Sequence, residues 1–368
     1  MLIRKMLLYI LIFLTLCSEV LKRSPRLVES LYSSGFYPWV SKGIHQFTSW
    51  FPFSIGELLF YMSVLALLVS FAVFIYCIIK KDLKARHYKQ LSHYVANVIL
   101  IGLLLFNSVW GFNYHRLPLT YHLDIQVRKH TDKELIRLCN TLVQQANTLA
   151  EKVHKDSQLT TEIPGGYLYV FENAHMGFAS LGEDYPLFET SYSKPKPVLS
   201  SWVMSYSGIS GIYSPFTAEA NVNVDIEDVM LPATTLHEMA HLYGVAKEDE
   251  ANFIAYLSSQ YHPDPVFQYS GTMLALIHSV NALHGQNTDA YLDVRSKYSD
   301  RVSQDLNAIR TFWHGYEGPI DDVQDKMNDQ YLKANGQDDG VDSYGKMVDL
   351  LLELNQIEHL KTAQKTAQ

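Results

Sequence analysis

The stretch LPATTLHEMAHLYGVAKEDEANFIAY, from Leu231 to Tyr256, guides the interpretation of the rest of the chain. It contains the pattern HEMAH, in which His237 and His241 are four residues apart and Glu238 follows the first histidine. Residues four apart lie on the same face of a helix, so both imidazoles can reach one ion while Glu238 stands beside them. A catalytic zinc site needs three protein ligands and one open position for water. The pattern therefore predicts a catalytic zinc site.

Helix boundary signals surround the HEMAH pattern. Pro232 suits a first helical turn because its missing N–H costs nothing there, and Gly244 suits a helix end just after Tyr243. A second helical pattern begins soon afterwards, with Phe253 and Ile254 on its apolar side. The sequence therefore predicts a short helix, a chain reversal at Gly244, and a second helix that returns across the two histidines.

The segment KEDEANF, which follows the reversal, offers the third ligand. Glu248 and Asn252 are four apart and share a helix face, whereas Glu250 points about 200 degrees around the axis from Glu248. We therefore predict that Glu248 is the third ligand and that Asn252 holds its carboxylate in place. Glu250 remains the alternative ligand. Lys247 stands where the third histidine of HExxHxxGxxH would fall, and an ammonium group cannot bind zinc.

The two motifs together resemble those of a known group of enzymes. HEMAH followed by EDEAN is similar to the HExxH plus ExxAD arrangement of the membrane-bound gluzincin peptidases, in which the Glu of the second motif is a zinc ligand. This chain has Asn252 where that group has Asp, and its two motifs lie much closer together.

The whole chain resembles a family of bacterial multi-pass membrane proteins of unknown function that carry such an HExxH domain. The resemblance runs from the N-terminal apolar segments through TAEANVN and HEMAH to NGQDDGVDSYGKMVDLL. It implies a membrane-anchored HExxH protein, and it implies no particular substrate.

Length and charge limit the class of protein. The 368 residues leave room for a membrane portion and one further domain of ordinary size. The net charge is -8, and basic residues cluster only beside the apolar segments, so nucleic acid is not expected as a partner. The cysteines, Cys17, Cys77 and Cys139, form no recognisable disulfide framework.

Residues 1–113 are predicted to form a membrane region in contact with the lipid bilayer. Three apolar segments, at about 5–21, 56–80 and 93–113, are predicted to cross it. Lys and Arg crowd between the second and third segments, and short loops of this composition stay in the cytoplasm. Three crossings then place residues 114–368 outside the cytoplasm. We therefore expect a multi-pass protein of the cell membrane.

Residues 27–55, between the first two apolar segments, are rich in aromatic side chains interleaved with Ser, Gly and Pro. Amphipathic aromatic rings favour the membrane interface, so we predict that this segment lies along the bilayer surface. An ordinary packed loop is an equally open interpretation. The aromatic residues concerned are Phe36, Tyr37, Trp39, Trp50, Phe51 and Phe53.

Residues 114–368 carry mixed helix and strand patterns. Helical spacing of leucines begins after Thr131, whereas Tyr167–Phe171 fits either a strand or part of a buried helix. The β-branched and aromatic residues before the HEMAH helix predict one or two strands. By resemblance to zincins, Gly211–Val224 is the candidate for an edge strand that pairs with a peptide, and an internal strand is the alternative. The predicted fold class is α+β, mainly α: about three transmembrane helices, then a zincin-like metallopeptidase domain.

These residues predict zinc-dependent hydrolysis of peptide bonds in extracytoplasmic proteins or peptides. Zn²⁺ would polarise the substrate carbonyl, and Glu238 would take a proton from water and return it to the leaving amine. A further donor normally stabilises the oxyanion, and Tyr344 and Tyr316 are candidates. A membrane-anchored zinc-binding scaffold without turnover is the alternative from another class. An intact Glu238 argues against it, because a structural zinc site needs no general base.

Overall fold

The computed structural model describes residues 2–80, 85–335 and 346–366. These residues are mainly helical and contain one small three-stranded sheet, which confirms the mainly α class. The chain divides into two compact units. The first comprises Met1–Arg116 and Ser214–Glu219, and the second comprises Leu117–Tyr213 and Ala220–Gln368.

The first unit is helical. Within the described part of the chain, two helical segments are long and apolar enough to cross a membrane, namely Ile55–Ile79 and Leu91–Val109. They correspond to the second and third predicted spans. The elements of this unit are α1 (Leu2–Lys22), α2 (Pro25–Leu27), a π-helix (Val28–Phe36), α3 (Tyr37–Thr48), α4 (Ile55–Ile79), α5 (Ala85–Val109) and a 3₁₀ turn (Gly111–His115).

The first predicted span forms helix α1, but α1 is not one of the two candidate crossing helices. Charged residues lie near both of its ends, and the uncharged stretch from Met6 to Ser18 is shorter than a bilayer crossing requires. Helix α1 packs against α5. The prediction of the helix was therefore correct, while its length and composition alone do not mark it as a span.

A buried ion pair joins the π-helix to the end of the first unit. The Nε and Nη2 atoms of Arg116 donate to the two carboxylate oxygens of Glu29, at 3.0 and 2.7 Å. The Ser34 hydroxyl also donates to Glu29, at 2.6 Å. Because both charges are buried, this fork-shaped pairing supplies the hydrogen bonds that an isolated buried charge would lack.

The segment Ser214–Glu219 belongs to the first unit, although it is distant in sequence. The carboxylate of Glu219 is fully buried and accepts hydrogen bonds from the backbone N–H groups of Ile55, at 3.1 Å, and Gly56, at 2.7 Å. These are the first two residues of α4, whose N–H groups have no partner within the helix. A negative charge is also favourable at this end of the helix dipole.

The second unit packs its helices around a core of α7, α11, α12 and α13, with α13 contacting both α7 and α12. The helix that the leucine spacing predicted after Thr131 is α7. It begins at a capping box between Thr131 and Glu134. Its helices are α6 (Leu119–His122), α7 (Asp132–Ala150), α8 (Gly166–Asn173), α9 (His175–Asp184), α10 (Ser201–Tyr206), α11 (Leu231–Leu242), α12 (Glu248–Gln260), α13 (Pro265–Gln286), α14 (Thr288–Arg295), α15 (Asp300–His314), α16 (Pro319–Ala334) and α17 (Met347–Thr366).

Local ambiguities in the sequence are resolved by this packing. Tyr167–Phe171 lies in helix α8 and not in a strand. The segment before the HEMAH helix forms two strands, β2 (Gly211–Ser214) and β3 (Glu219–Val222). A two-residue strand β1 (Lys196–Pro197) pairs in parallel with β3, and the strand order is β1-β3-β2.

Strand β2 therefore lies at an edge of the sheet, whereas β3 is internal. The prediction that Gly211–Val224 is an edge strand was thus correct for β2 and wrong for β3. Only four residues connect β2 to β3, which is enough for an antiparallel pair and too few for a parallel crossover.

Asp305 is the centre of a buried polar cluster in the second unit. Its carboxylate accepts hydrogen bonds from the backbone N–H of Thr161, at 2.7 Å, and from the Tyr269 hydroxyl, at 2.7 Å. It also forms an ion pair with the ammonium group of Lys155, which lies over the Tyr269 ring. The cluster joins α13 and α15 to the loop that follows α7.

We expect Asp305→Asn to destabilise the second unit by about 3–5 kcal/mol, because it leaves the buried ammonium group of Lys155 without a counter-charge. The Lys155 and Asp305 side chains are only 4% and 1% exposed, so water cannot solvate the ammonium group after the carboxylate is removed. Thermal unfolding of the full chain in detergent, followed by circular dichroism, should show a midpoint lowered by roughly 10 °C.

Asp293→Asn is the matched control, because Asp293 pairs with Lys297 on the surface at 2.6 Å. Its effect should stay below about 1 kcal/mol. Equal midpoints for the two variants would show that the Asp305 cluster does not stabilise the unit.

Candidate metal centre

The HEMAH helix and the reversal after it have the predicted form. Helix α11 carries Pro232 in its first turn and ends at Leu242, with Tyr243 as its C-cap. Gly244 has a φ of 79°, in the left-handed region that glycine tolerates and other residues disfavour. Helix α12 begins at Glu248 and packs against α11. The reversal therefore brings the start of α12 back to the two histidines.

Three ligand atoms converge at this reversal. One atom each from His237, His241 and Glu248 lies within 4.8 Å of the other two. The Nε2 atom of His237 lies 3.1 Å from Oε2 of Glu248, and Nε2 of His241 lies 3.9 Å from Oε1. The three side chains are 13%, 7% and 19% exposed, respectively. The cluster is therefore largely buried while a part of it still meets solvent.

Both imidazoles are held through their Nδ1 atoms. His237 Nδ1 donates to the side-chain oxygen of Asn252 at 2.8 Å, and His241 Nδ1 donates to the backbone carbonyl of Val245 at 2.6 Å. A histidine that donates from Nδ1 presents Nε2 to a metal. The ring orientations therefore suit metal binding.

Asn252 was predicted to hold the carboxylate of Glu248, and this prediction was wrong. The structure places its side-chain oxygen on His237 instead. The spacing correctly put Asn252 and Glu248 on one helix face, but both face His237, and the amide oxygen of Asn252 accepts the imidazole N–H.

Glu250 points away from the histidines. Its Oε1 atom accepts the backbone N–H of Leu119 at 3.0 Å and lies 3.4 Å from the ammonium nitrogen of Lys247. Of the two carboxylates proposed from the sequence, the structure therefore brings Glu248 to the imidazoles and uses Glu250 to bind the chain near α6.

Glu238 lies in the same helix, with its side chain buried. Its Oε2 atom has no hydrogen-bond partner among the described residues. Gly211 of β2 approaches so closely that a Cβ atom at this position would lie 2.4 Å from Oε1 of Glu238. Tyr213, also in β2, places its ring 5.9 Å from that of His241. The start of the edge strand therefore lines the site. The sequence proposed this strand for peptide pairing but gave no sign that Gly211 approaches Glu238.

Burial and neighbouring charges set the protonation of these groups. Burial raises the pKa of Glu238 to about 8, although the charge of His237 opposes this shift. Burial lowers the pKa of His237, but the hydrogen bond and charge of Glu248 outweigh it and raise that pKa to about 9. Burial lowers the pKa of His241 to about 4. Because Glu248 lies closest to His237, His237 holds a proton more readily than His241 does.

Tyr344 and Tyr316 were the candidates for oxyanion stabilisation. Tyr344 lies outside the described residues. The hydroxyl of Tyr316 donates to Asp225 at 3.0 Å and its ring packs against Tyr206, so the structure does not bring it to the three ligand atoms.

His278 of α13, which the sequence gave no reason to select, is close enough to His237 for the two charges to interact. Burial and that interaction lower its pKa to about 4.

The donor set fits a zinc ion. In tetrahedral coordination with bonds of about 2.1 Å, neighbouring ligand atoms are roughly 3.4 Å apart. The separations from Glu248 to His237 and His241 are 3.1 and 3.9 Å, on either side of this value, and all three atoms lie within 4.8 Å of one another. Two imidazole nitrogens and one carboxylate oxygen are ligands that zinc accepts in catalytic sites.

The fold and site define a mainly helical protein with two candidate membrane helices and a cluster of two histidines and a glutamate. A family model described as "Protein of unknown function (DUF3810)" matches residues 32–352. This match covers more than half of the chain, so the chain belongs to that family. No curated protein and no solved structure matched the chain.

We expect Glu248→Gln to lower the affinity for Zn²⁺ by more than about 100-fold, because it replaces a charged ligand with a neutral amide. Glu250→Gln is the matched control, since the same change is made two residues away on a side chain that faces Leu119. Its zinc affinity should be unchanged. Titration of the purified full chain with zinc against a competing chelator measures both.

Asn252→Ala should fall between these two variants, with a loss of about 10–100-fold, because His237 loses the group that orients it. Zinc binding that is lost in the Glu250 variant and kept in the Glu248 variant would reverse the choice of ligand.

Proposed function

We propose that this protein is a membrane-anchored, zinc-dependent metallopeptidase that hydrolyses peptide bonds of extracytoplasmic proteins or peptides. His237, His241 and Glu248 would hold the ion, and Glu238 would act as the general base. The observation that carries the proposal is the convergence of these three atoms within 4.8 Å, two of them from the helix that also carries the buried Glu238. Oε2 of Glu238 has no hydrogen-bond partner in the part of the chain that the structure describes.

The residues of the site suit this chemistry. When bound, zinc would polarise the substrate carbonyl and make water more acidic. Glu238 would take a proton from that water and pass it to the nitrogen of the leaving amine. Its burial raises its affinity for the proton it must carry, while positive charge nearby acts in the opposite sense. Asn252 and Val245 would keep the imidazoles in position through the reaction.

Strand β2 supports a peptide as the substrate. It is an edge strand, and an extended peptide can add to such an edge through backbone hydrogen bonds. Gly211 brings the beginning of β2 against Glu238, so a peptide paired with β2 would pass the proposed general base. Edge pairing of this kind selects extended peptide chains and places few demands on their side chains.

The proposed location follows from the charges around the two candidate spans. Lys80, Lys84, Arg86 and Lys89 lie in the connection between them, which favours the cytoplasm for that connection. The chain after Val109 would then lie outside the cytoplasm, with or without a further crossing by α1. The hydrolytic site would accordingly act on substrates outside the cell membrane.

We expect Glu238→Gln to retain zinc and to lose hydrolysis of a peptide library by about 10²–10⁴-fold, because glutamine fills the same space and cannot accept the proton. Zinc content and cleavage are measured on the same preparation in detergent, with mass spectrometry of the peptides.

Gly211→Ala tests the same group from the opposite side. A Cβ atom there would displace the Glu238 carboxylate, so activity should fall while zinc is kept. A wild-type protein that binds zinc and cleaves no peptide in the library would favour the silent zinc-binding scaffold. Full activity in Glu238→Gln would exclude this residue as the general base.

The proposed orientation predicts which cysteines a membrane-impermeant maleimide can label. In right-side-out membrane vesicles, a cysteine introduced at the exposed residue Asn307 should be labelled without permeabilisation. One introduced at Lys80 should react only after permeabilisation. Cys17 and Cys77 would be replaced by serine. Cys139 can remain because burial raises the pKa of its thiol to about 12. The reverse labelling pattern would place the site in the cytoplasm.

A further inference from the structure

Residues 25–53 of the first unit have the polarity of a membrane-facing structure. Five large apolar side chains of this segment are more than half exposed, with Trp39 at 81% and Trp50 at 79%. Several polar side chains of the same segment are buried instead, namely Glu29, Ser33, Ser41, His45 and Thr48. We refer to this exposed set of four aromatic residues and one leucine as the aromatic face. It consists of Leu31, Phe36, Trp39, Phe47 and Trp50.

The buried side of α3 is lined by polar side chains. Along the helix, Ser41, His45 and Thr48 follow one another at helical spacing, and each is at most 3% exposed. His45 Nδ1 bonds the carbonyl oxygen of Ala218 at 2.7 Å, and Thr48 donates to the carbonyl oxygen of Thr217 at 3.0 Å. Polar groups are thus satisfied inside the first unit, whereas a helix in water would turn them outwards.

Charge identifies the occupant of the aromatic face. Between residues 23 and 53, all of which the structure describes, the exposed charged side chains are Arg23, Arg26 and Lys42. The acidic residue of this stretch, Glu29, is buried and paired with Arg116. An exposed surface that combines tryptophan with uncompensated positive charge complements the boundary between acyl chains and anionic headgroups.

The segment also continues directly into a candidate span. Helix α4 begins at Ile55, five residues after Trp50, and its large apolar side chains are exposed along its length. A soluble protein rarely exposes apolar surface of this extent. A lipid environment that covers α4 would therefore reach the aromatic face that precedes it.

We infer that residues 25–53 form a lipid-embedded interfacial structure, in which the aromatic face contacts the bilayer and Arg26 and Lys42 contact anionic headgroups. The occupant is lipid, and neither a partner protein nor a second copy of the chain. This inference is independent of the proposed peptidase activity, because no residue of the metal centre enters into it.

Quenching of tryptophan fluorescence by brominated lipid tests the inference. The full chain is reconstituted in phosphatidylcholine and phosphatidylglycerol vesicles, with and without bromine on the acyl chains. Wild type is compared with Trp39→Phe/Trp50→Phe, which alters two exposed side chains and leaves the buried Trp110 in place. The emission that bromine quenches should fall by at least about half in this variant, because interfacial tryptophans lie within reach of the upper acyl chains.

Trp313→Phe is the matched control, and its lipid quenching should equal that of wild type. Unchanged quenching in the Trp39→Phe/Trp50→Phe variant would overturn the inference. Acrylamide, a water-soluble quencher, then separates the remaining occupants. Strong acrylamide quenching of Trp39 and Trp50 would indicate water, whereas protection from both quenchers would indicate a protein partner or a second copy.

Discussion

The reversal at Gly244 is the constraint on which the cluster of His237, His241 and Glu248 depends. Its left-handed φ of 79° ends α11 directly after the second histidine and turns the chain back at once. The residue that follows, Val245, supplies the carbonyl that orients His241, and Glu248 arrives 3.1 Å from His237. One tight turn therefore places the Glu248 carboxylate beside His237 and supplies the hydrogen bond that orients His241.

Much of this arrangement could be predicted from the sequence because it is local. Two histidines four apart share a helix face, and a glycine at a helix end marks a reversal. Spacing gave the direction of Asn252 correctly but not its partner, since Glu248 and His237 both lie on that side. Spacing cannot decide between two groups within reach of the same amide.

The contributions that sequence reasoning missed come from the backbone or from distant segments. Gly211 reaches Glu238 from a strand that precedes α11 by about twenty residues, and it has no side chain to signal a role. The segment Ser214–Glu219 joins the first unit through the carboxylate of Glu219, although an acidic residue ordinarily favours solvent exposure. Long-range contacts of this kind leave no periodic pattern in the chain.

Glu238 differs from other buried carboxylates of the protein in a way that bears on function. Glu29, Glu219 and Asp305 each have hydrogen-bond donors on both oxygens. Among the described residues, Oε2 of Glu238 has no donor, an arrangement that costs about 1–3 kcal/mol. Burial raises the pKa of this carboxyl group.

A fold that satisfies these other acids has thus left Glu238 available beside two oriented imidazoles. Gly211 adds to this, because a larger residue would press on the Glu238 carboxylate. The cost in stability is most simply offset when a polar molecule donates to that oxygen. In the proposed hydrolysis, that molecule would be the water whose proton Glu238 takes, and a bound cation would supply the polarisation of the carbonyl.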